Sequence, residues 1–562
     1  MPGILRQGPR ERASRFDAGA SAAAMLGHGD AVPVRRPLQV RSGTERLRRQ
    51  PLQVRLHATI LACQYGGRPG MDSSPLVDRE REQRTLRELL LRPGPTMAVL
   101  YGRRRVGKTF LLRHAFPGDH VFHFTASDAT PELNRRALLE AASRWARTEI
   151  RMQDFPTWRR VFEFILQLGG EQPTVVVLDE YQFFHGGGDE SVDSALAAVW
   201  EEHVNRRPKG RPLVLILCGS IVRVMERLDA ADNPLYGRLD WKARLEPFDY
   251  LDAARMASFP AARDRALAYG IYGGTPRYLA TIDPAASLAE NAVRSALSPN
   301  GNVRIQVETV VAQEHGLRDL GEYNAILSAI GSGATLRNEI AMKTGLAQTF
   351  AFRSRLEKLE DLGLIESTRN FGASASEPHR YRLSDPALRF YYSIVDKYRS
   401  ELELDDPMEI WRTHIERELD TYMGLIFERV SRQAYFRMRA ARDLPIVREW
   451  GRWEGLDRDR QQIEIDIVAR RTDGAMLTGA VKWNKKAMGL SIHERHIDML
   501  TRLASSGYAW AREALAPGAV LLYVAAGGFV PHFLERAEIE GIRVMAWSLD
   551  ELYSDPGEAK SS

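Results

Sequence analysis

The chain has 562 residues, 44% of them hydrophobic and 27% charged, which excludes collagen-like, wholly disordered and disulfide-scaffold classes. It holds two cysteines, Cys63 and Cys218, and no apolar run near the ~20 residues of a membrane span, so a reducing cytoplasm is the expected compartment. The net charge of +5 is uneven: residues 1–70 contain 12 Arg against 4 acids, a balance of +8, and the rest of the chain is slightly acidic. Basicity therefore argues little for nucleic-acid binding by the body of the protein.

Residues 1–70 mix Arg, Gly, Pro, Ala and Ser without periodicity, and Pro-Leu-Gln-Val-Arg occurs at 37–41 and again at 51–55. The segment reads as a disordered basic leader: a nucleic-acid arm, a tail without function, or an extension upstream of a true start at Met71. Patterning begins there. Helical spacing at 80–91, a strand at 96–101, helices at 108–115, 130–149 and 161–168, and apolar strands at 174–178 and 213–217 alternate along the chain. Strands alternating with helices predict a parallel doubly wound α/β sheet. Helical segments dominate from about residue 250 to 318, and strands return at 463–469, 475–482, 520–525 and 542–547.

The sharpest motif is Gly102-Arg103-Arg104-Arg105-Val106-Gly107-Lys108-Thr109, a full match to G-x-x-x-x-G-K-[ST] between a strand and a helix. The glycines let backbone N–H groups turn toward a phosphate, and the helix N-terminus adds its positive end. Lys108 would reach the β- and γ-phosphates and Thr109 would offer a hydroxyl to Mg²⁺. The strand at 174–178 ends in Asp179-Glu180, a metal-shell carboxylate followed by one that polarises the attacking water. Ser220, after the strand at 213–217, is either a sensor of the γ-phosphate or a cap of the next helix. Cys218 reads as a small buried apolar residue.

Those residues resemble the archaeal-type ATPases of archaea and bacteria, within the signal-transducing, AAA+-like P-loop NTPases. That family opens on an Arg-Glu helix, seen in Arg79-Glu80, and continues through Tyr101 to Thr109, Asp179-Glu180, Cys218-Gly219-Ser220, Leu235-Tyr236-Gly237-Arg238 and Gly273-Gly274-Thr275-Pro276. Asp78 stands where the family usually has Gly. The resemblance implies a P-loop ATPase core over 71–255 and a helical lid over 256–318. It makes Arg238 a candidate arginine finger, against an ordinary surface Arg, and has Pro276 bring the lid against the nucleotide.

Residues 319–385 hold three helical stretches and two short strands, the order of a winged helix-turn-helix. In a DNA reader the third helix would present Arg353, Arg355 and Lys358, but Glu357, Glu360 and Asp361 oppose phosphates. DNA contact and a packing role both stand. A helical linker is expected over 386–415. Over 416–555 the chain resembles the PD-(D/E)xK nucleases: Glu428, Asp466 and Lys482 are present, while Ala480 replaces the acid two residues before the Lys. A site short of one carboxylate holds Mg²⁺ poorly, so the domain is expected to be inactive, unless Glu464, on the strand face of Asp466, compensates.

The function expected is an Mg²⁺-dependent ATPase working as a nucleotide-controlled switch, linked to DNA in regulation or defence. An ATP-gated DNA-binding or nuclease protein and an ADP-holding scaffold are the alternatives. ATP, Mg²⁺ and ADP are the expected ligands, with DNA and an unnamed protein as candidate partners. No membrane contact is expected, and an oligomer would be needed for an arginine acting in trans.

Overall fold

The structure, a computed structural model, describes residues 77–117, 120–168, 172–185, 191–206, 212–313, 317, 319–374 and 376–554. The basic leader, with Cys63 and Met71, lies outside the described residues. Strands β1 (Pro95–Tyr101), β2 (Val121–Thr125), β3 (Thr174–Asp179), β4 (Leu213–Gly219) and β5 (Trp241–Arg244) form an all-parallel sheet ordered β2-β3-β4-β1-β5. β3 and β4 are buried along their whole length, because helices cover both faces of a central parallel strand. Neither β2 nor β5 is among the expected strands. His123 interrupts the apolar pattern of β2, and β5 is a four-residue edge with no fully buried side chain.

This arrangement sets β1, β3 and β4 side by side with their carboxyl ends together, where the loops of an open α/β sheet gather ligands. The helix Glu80–Leu90 precedes β1. Asp78 at its entry has φ 52° and Arg79 has φ 83°, so Asp78 adopts the left-handed conformation that suits glycine and that Asp tolerates better than most residues.

Helices Tyr250–Ala257, Ala262–Tyr272 and Pro276–Leu279 follow β5. Three helices, Leu320–Gly331, Arg337–Thr344 and Phe350–Asp361, then precede an antiparallel pair, β6 (Ile365–Thr368) and β7 (Arg380–Leu383). The tip between β6 and β7 is docked on the C-terminal sheet: Asn370 hydrogen-bonds both backbone groups of Glu454, Phe371 N donates to Arg452 O, and the Phe371 ring meets Trp510. Residues 386–415 do more than link. Phe390, Ile394, Val395 and Ile415 are buried in one cluster with Tyr269, Ile271, Leu297 and Val307 of the preceding helices.

The C-terminal sheet is ordered β12-β11-β10-β9-β8, from β8 (Val447–Leu456), β9 (Gln462–Arg471), β10 (Met476–Lys482), β11 (Val520–Ala525) and β12 (Arg543–Ser548). β9 runs antiparallel to both neighbours, while β10, β11 and β12 are parallel. Glu416–Met438 packs Phe427 and Val430 on one face, with Ile467, Val481 and Leu522. Leu490–Ser505 packs Leu500 and Leu503 on the other, with Ile463, Ile465 and Leu521. Between Gly451↔Val468 and Trp453↔Ile465, one residue of β8, Arg452, opposes two of β9, Asp466 and Ile467, a bulge that moves later side chains to the other face. No helix among the described residues is long and apolar enough to cross a membrane.

One close approach holds the turn before Pro276 against the segment that follows β5. A Cβ on Gly274 would lie 1.9 Å from Phe248 O, whose own N–H bonds Gly274 O at 2.8 Å. Backbone cannot yield as a side chain does, so Gly274→Ala is expected to cost about 1–3 kcal/mol as overpacking. Thermal denaturation would read this as a lowered Tm.

Candidate functional site

The loop 102–109 turns tightly between β1 and the helix Lys108–Ala115. Gly102 passes so close to the chain that a Cβ would sit 2.2 Å from Leu245 O. Gly107 caps the helix with φ 95°, and Arg105 has φ 71°. Val106, 2% exposed, anchors the loop in a cluster with Leu111, Leu112 and Leu245. Arg104 lies at the turn, partly buried. The backbone thus presents N–H groups at a helix N-terminus, the arrangement that suits an anion.

Lys108 is 7% exposed, and its Nζ donates to Gly102 O at 2.8 Å and Arg103 O at 3.1 Å. Thr109 Oγ1 donates to Asp179 Oδ2 at 3.1 Å. Asp179 sits at the end of β3, 5% exposed. Burial alone would raise its pKa. The hydrogen bond and charge of His123, with Nε2 3.4 Å from Oδ2, outweigh burial together with Cys218 and Lys108, and hold it near about 2. His123 was not foreseen, because β2 was not. Cys218 is a buried free thiol whose pKa burial drives well up, as its apolar reading requires.

Glu180 follows at φ 53°, with its N–H on Asp179 Oδ1 at 3.0 Å. Ser220 Oγ donates to Glu180 Oε2 at 2.7 Å. Ser220 therefore meets the glutamate and does not cap the next helix, whose N-cap residue is Ile221. Pro276 begins the helix Pro276–Leu279, with its Cγ 3.9 Å from where a Gly107 Cβ would stand. Lid and loop are in contact there. Arg238 is elsewhere: its guanidinium pairs with Glu201 at 2.9 Å and donates to Pro234 O and Tyr236 O, so as placed it does not contact the phosphate loop.

Two loop arginines reach outward. Arg103 Nη1 lies 3.4 Å from Asp385 Oδ2, and Arg105 Nη1 donates to Tyr278 Oη at 3.2 Å and Gln306 O at 3.1 Å, with Nη2 on Gln313. These contacts join the loop to the helical residues 278–313 and to the segment after β7.

Of the two C-terminal arrangements open from the sequence, the carboxylates match the one in which Glu464 accompanies Asp466. Oxygens of Glu428, Glu464 and Asp466 lie within 4.8 Å of one another, and Lys482 Nζ is 3.0 Å from Asp466 Oδ2. Ala480 is not part of this group. It is 6% exposed in the cluster of Trp453, Leu500 and Tyr523, on the sheet face away from Phe427 and Glu428. The β9 bulge explains the difference, since it turns Glu464 and Asp466 toward the helix Glu416–Met438 and away from Ile463 and Ile465. Glu464 thus supplies the third carboxylate. Arg452, 13% exposed, sits between Glu428 at 3.6 Å and Glu464, and Arg382 is 4.0 Å from Glu428. Burial first, then the like charges of Asp466 and Glu464, raise the Glu428 pKa to about 7 against both arginines.

The Asp179 shift carries a sign. Its folded pKa lies below the ordinary 3.8, so the linked stability is present above pH 4 and lost as pH falls through about 2. His123→Phe removes the main opposing group and is expected to lose up to about 2 kcal/mol at pH 5. Urea unfolding of the two proteins should show the deficit at pH 5 and pH 4 and its decline toward pH 2.

Comparisons with known proteins bear on the same residues. Residues 76–282 match a family model described as an ATPase domain predominantly from Archaea, and residues 391–496 match one described as archaeal and bacterial proteins of unknown function. An uncharacterized protein of Methanocaldococcus jannaschii is 24% identical over 421 residues, covering 72% of this chain and 87% of its own length. Among solved structures, the Walker-type ATPase of Pyrococcus abyssi is 20% identical, with a TM-score of 0.41, over 57% of this chain and 96% of that one. The Aeropyrum pernix ORC2 protein is 16% identical, with a TM-score of 0.39, over 58% and 95%. Loop, carboxylates and family match coincide: residues 102–109, 179–180 and 218–220 all fall within 76–282, the span that is similar to the archaeal ATPase domain.

Proposed function

We propose that the protein is an Mg²⁺-dependent ATPase acting as a nucleotide-controlled switch. The observation that carries this reading is the 3.1 Å contact between Thr109 Oγ1 and an ionised, buried Asp179. A hydroxyl and a carboxylate there are the hard oxygen donors Mg²⁺ takes. When bound, Mg²⁺ would neutralise charge developing on the phosphates. The chain's own part is to bind the phosphates through the loop N–H groups and Lys108, and to take a proton from water at Glu180.

The switch follows from what the loop arginines hold. Arg103 and Arg105 engage Asp385, Tyr278, Gln306 and Gln313, so a nucleotide that reshapes the loop pulls on the lid and on the segment beyond β7 together. We read residues 319–385 as a winged helix used for packing. Its hairpin tip is engaged by Asn370 and Phe371, and Arg355 pairs with Glu322, which leaves Arg353 and Lys358 for any DNA contact.

Lys108→Ala is expected to abolish nucleotide-dependent behaviour. Glu180→Gln is expected to bind ATP and lose about 10²–10⁴-fold in kcat. Steady-state hydrolysis with and without DNA reads both, and separates the switch from an ATP-gated DNA protein and from an ADP-holding scaffold with little turnover. Parent-rate hydrolysis by Glu180→Gln would remove the assigned role.

A second reading rests on the carboxylate trio, as a divalent-metal centre in a PD-(D/E)xK-like domain. Arg452 and Arg382 already compensate those charges, and a group neutralised by guanidinium has less to offer a cation. The purified protein is expected not to cut DNA with Mg²⁺ or Mn²⁺, and Ala480→Glu is expected to restore nothing because position 480 faces Tyr523. Cutting that disappears on Asp466→Ala would establish the metal reading instead.

A further inference from the structure

Glu180 Oε2 accepts two hydrogen bonds. One comes from Ser220 Oγ and the other from Gln182 Nε2, which also lies 3.3 Å from Ser220 Oγ. Gln182 is 7% exposed and Ser220 9%. Gln182 Oε1 is buried with no hydrogen-bond partner among the described residues. A buried amide oxygen without a donor is unfavourable, so the orientation of this amide needs a cause. Glu180 Oε2 supplies one. It only accepts, and the flipped amide would set oxygen against oxygen.

The seat for this amide depends on glycine. A Cβ at position 219 would lie 2.5 Å from both Gln182 Oε1 and Met225 Sδ. Gly219 also accepts from Gly102 N at 3.3 Å, so the same residue that admits Gln182 touches the start of the phosphate loop. In the string Cys218-Gly219-Ser220, glycine makes the slot and serine makes the second donor.

We propose that Gln182 is a positioning residue for ATP hydrolysis: seated over Gly219, it and Ser220 pin Oε2 of Glu180 and leave Oε1 to accept the proton of the attacking water. This rests on the ATPase reading, with Glu180 as the group that polarises water. A free glutamate samples several rotamers. Two donors on one oxygen hold the carboxylate plane, and a misplacement of about 1 Å in such a group can cost 10²-fold.

The test uses the full chain and three variants. Gln182→Leu removes the N–H while keeping much of the volume, and is expected to lower kcat about 10- to 100-fold with KM and ATP-analogue Kd within about twofold. Added to Glu180→Gln, it should lower kcat no further, because it acts through that carboxylate. Gln182→Asn, which keeps the amide but shortens its reach, should show the same split and serves if the leucine variant does not fold. An unchanged kcat in Gln182→Leu, a further drop on the Glu180→Gln background, or a parallel loss of nucleotide affinity would overturn the inference alone. Parent-rate hydrolysis by Glu180→Gln would instead overturn the reading beneath it.

Discussion

The pair between Arg103 and Asp385 is the constraint on which the arrangement around the phosphate loop depends. Asp385 is 4% exposed and does three things with two oxygens: it meets the loop arginine, accepts from Thr275 Oγ1, and caps the helix Pro386–Phe390 through Ala387 N at 2.8 Å. Removing one partner of a buried pair costs more than the pair contributes, because the other charge stays behind in a poor solvent. Loop, lid and the segment after β7 are therefore tied at one carboxylate. Gly363 approaches the same arginine, with its absent Cβ 3.3 Å from Arg103 Cδ.

Beyond that point the contacts continue without a seam. Tyr422 Oη on the long C-terminal helix donates to Gly270 O and Pro386 O, Arg437 pairs with Asp249 and Asp252, and Tyr250 Oη donates to Leu552 O. The helices after β5 and the C-terminal domain share a continuous apolar core. A change in the angle of the lid has to be carried by that whole body or resisted by it.

What was legible in the sequence was local. The phosphate loop, the apolar strand ending in Asp179-Glu180, and the Cys-Gly-Ser string each carry their chemistry within a few residues, and each is found on the predicted element. What was not legible depended on pairing. His123 matters because β2 lies beside β3, and Val121–Thr125 has too few apolar residues to announce a strand. Among the C-terminal carboxylates, Glu464 stands beside Asp466 as the period-two reading allowed, and what the sequence hid was the face of position 480. Alternation along β9 is a rule of period two, and one extra residue between Ile465 and Val468 breaks it, so Ala480 was weighed as the missing ligand although it lies on the other face. Residues 386–415 were read as a linker because short helices look alike whether they bridge domains or build a core.

The hairpin tip on β8 has a further consequence. β8 is the edge of its sheet, and an edge strand offers unpaired N–H and C=O groups to any passing chain. Two register shifts bend it, Arg448 and Glu449 stand exposed along it, and Asn370 and Phe371 occupy the backbone groups of Arg452 and Glu454. The C-terminal domain has to stay apart from its copies. The docked hairpin protects that border from edge-to-edge aggregation, and any rearrangement that lifts the hairpin exposes a strand ready to pair.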